Sequence, residues 1–117
     1  MSRHPCWAAR LAALLSAAEA RPFDPPRWTC AAFALEAVEA VTGARPPFRV
    51  LPSLAASADS AGFPRIAPLF ARTGDVALSG DPPRLGVMVD AGRVAFVGPR
   101  GLVREPITAC TLAWRIG

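Results

Sequence analysis

The stretch RPFDPPRWTCAAFALEAVEAVTG, residues 21–43, constrains the fold of this chain more than any other. Its three prolines dictate an extended connection, because each locks φ and removes an amide donor. Thr29 then stands where a helix needs an N-cap, and Gly43 where it needs a left-handed C-terminal residue. Between them Phe33, Ala34, Ala37, Val38 and Val41 recur at helical spacing, while Glu36 and Glu39 fall on the other side. The spacing predicts a central helix over 29–42 with one buried face. Cys30 lies in its first turn, where backbone N–H groups and the helix dipole favour a thiolate.

Around that helix the chain divides in two. Ahead of it, Trp7, Leu11, Leu14, Leu15 and Ala18 predict a helix over 5–20 with one buried stripe, Arg3 and Arg10 remaining in solvent. His4 precedes that helix in an exposed arm. Phe23 is expected to anchor the proline connection in the core. Beyond Gly43, a proline-rich loop runs over 44–52, and Ser53 caps a short helix over 53–61 whose inner face is Leu54, Ala58 and Ala61. Residues 63–73 read as a turn or short helix burying Ile66, Leu69 and Phe70. From Thr73 the pattern changes to strands: 74–78, 84–90, 93–98 and 101–105, joined by turns at Gly80-Asp81-Pro82-Pro83, Ala91-Gly92 and Pro99-Arg100. A helical turn and a closing strand over 111–116 follow. Asp75 is placed to cap backbone N–H groups of its turn. Helices first and an antiparallel meander second make an α+β fold, one domain over 1–117, mainly helical over 1–62 and antiparallel over 73–117.

Composition narrows the function classes. A chain of 117 residues with 52% hydrophobic content forms a single real core, not a disordered tail. No apolar run reaches the roughly 18–20 residues of a membrane span. The basic balance comes from 13 arginines and no lysine. They are spread along the chain rather than clustered, so no nucleic-acid surface is expected. Cys6, Cys30 and Cys110 are odd in number and far apart, which fits neither a disulfide framework nor zinc spacing, and no metal or cofactor is expected. Cys6 and Cys110 read as small apolar side chains. The N-terminus imitates a secretory signal with an AxA site at Ala18-Glu19-Ala20, but Arg10 interrupts its apolar run. It is read as a retained amphipathic helix, with a small secreted protein as the alternative if it is cleaved.

The ordered motifs carry a resemblance. Phe23, then Cys30, then AVEAVTG at 37–43 are followed by Gly74-Asp75-Val76, Leu85-Gly86-Val87, Gly101-Leu102-Val103 and Ala113-Trp114-Arg115-Ile116. This order resembles the NlpC-type cell-wall cysteine peptidases, which are papain-like. It is closer still to a small relative of that group found in tail-gene clusters of phages and gene transfer agents. The resemblance implies a cysteine helix packed against an antiparallel sheet, with Cys30 as nucleophile and a strand histidine facing it as base.

The sequence departs from the family pattern at the catalytic positions. Thr29 stands where the peptidases have aspartate, and Arg84 where they have the histidine that opens the second strand. Pro25-Pro26 replaces a tryptophan-glycine pair. Arg84 cannot be a general base, because a guanidinium stays protonated. The only histidine, His4, lies outside the motif. The expectation is therefore a tail-tip or hub component of the virion built on a degenerate NlpC-like domain, Cys30 being vestigial. It would dock other tail proteins through its helix-loop face and proline-rich loops. Trp28, Pro25 and Pro26 are the expected contact residues, with Trp28 partly exposed. The alternative is an active amidase or endopeptidase acting on peptidoglycan, its base delivered by His4 or by another chain.

Overall fold

A computed structural model describes residues 1–117. Three helices, α1 (Trp7–Ala18), α2 (Cys30–Thr42) and α3 (Leu54–Asp59), precede all the strands. The strands are β1 (Arg65–Ile66), β2 (Val76–Ser79), β3 (Arg84–Asp90), β4 (Arg93–Gly98), β5 (Gly101–Pro106) and β6 (Cys110–Trp114). They form one six-stranded sheet in the order β1-β6-β2-β3-β4-β5, antiparallel throughout. The fold is α+β, as the sequence pattern implies. The closing strand returns to lie beside β2, and the two-residue β1 falls within the segment 63–73 expected to be a turn or helix. It pairs with Trp114 and Ala113, a non-local partner that no local pattern announces.

The central helix forms for the reasons its ends suggest. Thr29 Oγ1 accepts the Ala32 amide at 3.2 Å, and Gly43 takes φ 83° at the other end. Arg10 Nε and Nη2 reach across from α1 and donate to the Ala40 and Glu39 carbonyls at 2.8 and 3.1 Å, complementing the negative end of the helix dipole. Phe33, Ala34, Ala37, Val38 and Val41 are buried against the sheet.

Alternation along the strands splits the interior into two layers. Leu85, Val87, Ala95 and Val97 face α1 and α2 together with Val76, Leu78 and Trp114. Ala77, Met88, Val94, Phe96 and Ala113 face the other way. There Ile107 of the 3₁₀ turn Ile107–Ala109 packs with them, joined by the half-buried Ile66 and Ala71. Gly86 is required in this second layer: an added Cβ would lie 2.7 Å from both the Ala95 carbonyl and the Phe96 ring.

The sheet edge at β5 is blunted. The Leu102 amide donates to the Glu19 carbonyl just past α1, and Pro106 has no amide to offer. Arg104 is held over the same edge by two bonds to Glu19, at 3.0 and 2.9 Å.

Four expectations about burial are corrected. Arg3 does not stay in solvent: its guanidinium is 11% exposed and bonds the buried Asp75 carboxylate. Phe23 is 52% exposed, because only its backbone docks, through an amide bond to the Gly98 carbonyl. Leu69 and Phe70 are 76% and 72% exposed, since the segment makes a 3₁₀ turn whose outer side they occupy. Cys6 lies exposed just ahead of α1 rather than serving as an interior apolar residue.

Asp75, fully buried, ties both ends of the chain to the start of β2. Its Oδ1 accepts the Ile116 amide at 2.9 Å and an Arg3 Nη at 3.2 Å; its Oδ2 accepts the Arg72 amide at 2.9 Å and Arg115 Nε at 3.1 Å. The turn-capping role read from sequence is present, and two arginines from opposite ends of the chain are added to it. Removing one partner of a buried charge pair leaves the other uncompensated, at about 3–5 kcal/mol. Asp75→Ala is expected to destabilise the fold by about that amount, read as a lower urea midpoint. A loss below about 1 kcal/mol would show that water replaces the carboxylate freely.

A weaker acid-sensitive link joins α3 to β6. Asp59 accepts from Arg65 at 2.9 and 2.7 Å and from Trp114 Nε1 at 2.9 Å. The Arg65 bonds, then the indole bond, hold its carboxyl below the ordinary aspartate range. A carboxylate depressed in the folded state contributes stability above its unfolded pKa, and that contribution is lost as pH falls through the folded value. Asp59→Asn is expected to flatten the acid limb of a melting-temperature profile while leaving its neutral slope unchanged.

Candidate functional site

The N-terminal end of α2 carries the residues singled out from sequence. Cys30 is the first helical residue, half-buried, with its side chain packed on the helix-facing core layer. Thr29, in the place of a catalytic aspartate, spends its hydroxyl as the helix cap. Ahead of it, residues 24–28 close into a small loop: the Trp28 amide donates to the Asp24 carbonyl at 2.7 Å, and the Asp24 amide donates back at 2.9 Å. Pro25 and Pro26 are exposed at its tip.

This loop turns Trp28 inward, which overturns the expectation of a partly exposed contact residue. Its indole is 1% exposed and meets Phe33 edge-on at 5.8 Å between ring centroids. The Arg21 guanidinium covers it at 4.1 Å. The indole Nε1 has no hydrogen-bond partner in the protein. Of the three expected contact residues, only the two prolines remain at the surface.

The residues considered as partners of Cys30 are not brought to it. His4 lies at the other end of α2: its amide donates to the Val41 carbonyl at 2.7 Å, and its ring lies against Gly43. Thirteen residues of helix at 1.5 Å each put roughly 20 Å between that end and Cys30. The imidazole is occupied locally, with Nδ1 accepting the Cys6 amide at 2.9 Å.

Arg84 lies on the opposite face of the sheet. Its neighbours Leu85 and Val87 face the helices, so Arg84 and Gly86 face away, and the Arg84 guanidinium sits 4.5 Å from the Phe96 ring centroid. It is ion-paired with Glu105. The sheet therefore separates it from Cys30, and it does not stand across from the thiol. Glu105 was not anticipated as its partner, yet alternation across β4 and β5 puts Phe96, Val103 and Glu105 on one face. That signal is readable once the hairpin register is known.

The three thiols differ in setting. Cys6 is exposed, Cys30 intermediate and Cys110 buried. Burial, and then the nearby Glu105 charge, push the Cys110 thiol up to about 11. The thiolate is the species that alkylates. Iodoacetamide at neutral pH is therefore expected to label Cys6 first, Cys30 more slowly and Cys110 slowest of the three. Between pH 7 and 10 the Cys110 rate in the folded protein should rise about tenfold per unit. Mass spectrometry of tryptic peptides over a time course checks this order.

A family model described as "Domain of unknown function (DUF6950)" matches the chain over residues 2–51 and 48–116. No curated protein matches it.

Proposed function

The chain belongs to the DUF6950 family, and we propose that it is a structural component of a phage or gene-transfer-agent tail, at the tip or hub, built on a degenerate NlpC-like domain. The observation that supports a non-catalytic role is the isolation of Cys30. The only histidine is bound at the far end of α2, and the residue in the place of the catalytic histidine is a guanidinium ion-paired behind the sheet. A thiol at neutral pH needs a neighbouring base to act as an efficient nucleophile. The tail context comes from the ordered sequence motifs, from AVEAVTG to Ala113-Trp114-Arg115-Ile116.

In this role the domain is a rigid unit joined to other tail proteins. The loop tip at Pro25 and Pro26 offers a contact that is ordered before binding, which lowers the entropy cost of association. Co-expression with the neighbouring tail proteins of its gene cluster, followed by pull-down, is expected to recover a stable complex. Recovery of the domain alone, monomeric by light scattering, would remove the basis of this reading.

A cysteine peptidoglycan hydrolase is the alternative, favoured by the thiol in the first turn of a long helix. It requires a base from another chain. Purified cell-wall sacculi incubated with the isolated protein and with Cys30→Ala are expected to clear equally little. Clearing by the parent that the variant loses would instead establish the hydrolase.

A further inference from the structure

We propose that the turn Pro68–Phe70 is a membrane-contact tip that seats Leu69 and Phe70 in the interface of an anionic bilayer. These two residues are among the most exposed large hydrophobics of the chain, 76% and 72%, and they are adjacent in sequence. Exposing such a pair forgoes burial that either side chain would gain in the core. The turn is held rather than loose: the Ala71 amide donates to the Pro68 carbonyl, and Arg115 Nη2 donates to the Phe70 carbonyl at 2.7 Å. Arg115 is fixed in turn by its bond to the buried Asp75.

Charge identifies the occupant. Arg72 lies one residue beyond Ala71, the end of the turn, exposed, with one Nη bonded to the Gly117 carbonyl. Arg115 and Arg3 lie beside it around a single carboxylate, Asp75, leaving this end with net positive charge. Carboxylates on neighbouring elements do not cancel it. Asp59, Asp90 and Glu105 are each paired with an arginine of their own, Arg65, Arg93 and Arg84. A convex apolar tip flanked by guanidinium groups matches a surface that is apolar beneath and anionic above. It needs no shaped pocket to receive it. Two side chains and a small excess of charge give a weak, reversible, salt-sensitive association.

Cosedimentation with vesicles containing about a quarter phosphatidylglycerol in phosphatidylcholine is expected at low salt and not with pure phosphatidylcholine. The double variant Leu69→Ser/Phe70→Ser should lower the bound fraction about tenfold or more at fixed lipid, with an unchanged circular dichroism spectrum and melting temperature. Phe70→Trp should show a blue-shifted emission with the anionic vesicles and quenching by brominated lipid. The proposal is overturned by any of three results: no sedimentation with anionic vesicles, equal sedimentation of the serine variant, or a tryptophan at 70 that stays in water. Lipid-independent self-association that the serine variant abolishes would overturn it in favour of a contact between copies.

Discussion

A buried carboxylate is tolerated only when its charge and its lone pairs are answered, and Asp75 organises this molecule by needing those answers. It sits at the entry to β2, the strand between the meander and the returning β6. Its four donors come from residues 3, 72, 115 and 116, so the carboxylate draws both ends of the chain to one point. Arg3 makes the connection reciprocal, donating also to the Thr73 and Ile116 carbonyls at 2.8 and 3.0 Å. Its guanidinium is discouraged by burial and by Arg72, and sustained chiefly by Asp75. Arg115 Nε, at 3.1 Å, is the second guanidinium on the same carboxylate.

The parts of this fold that local chemistry determines were legible in the sequence. Thr29 and Gly43 delimit α2, Ser53 caps α3, and the turn residues separate β3, β4 and β5 at their observed bounds, save one residue at the end of β5. Each of these depends on neighbours a few positions away. What was not legible depends on distant partners. Nothing near Arg3 announces Asp75, and nothing near Ile66 announces Ala113. Phe23, Leu69 and Phe70 are apolar, which points to the interior, yet hydrophobicity alone does not say on which side of a turn a side chain falls. Trp28 failed in the opposite sense, because a reciprocal backbone bond across residues 24–28 turned it inward.

The candidate site shows the same division. The position of Cys30 in the first turn of a helix follows from the cap beside it. The isolation of that thiol follows from tertiary placement: the docking of His4 at the opposite end of α2, and the parity of β3 that sends Arg84 behind the sheet. Parity was available in principle, since Leu85 and Val87 are the larger apolar residues of an alternating run and must take the helix side. The arginines illustrate a related point. Arg10 caps a helix, Arg21 and Arg84 lie over aromatic rings, and six carboxylates hold others in ion pairs. A high isoelectric point thus describes mostly internal fastening here, with free positive charge confined to a few places.

The blunted β5 edge limits how copies of this domain can be arranged side by side. With Leu102 already bonded to Glu19, and Pro106 lacking a donor, a neighbouring strand would find almost no ladder to continue. The opposite edge is the two-residue β1, too short to register another sheet. The domain is thus a tile with finished borders. It cannot be extended into a shared sheet, so neighbours in any ring or stack must meet through side chains on its faces and loops. Such joints can be remade one residue at a time without disturbing the fold beneath them.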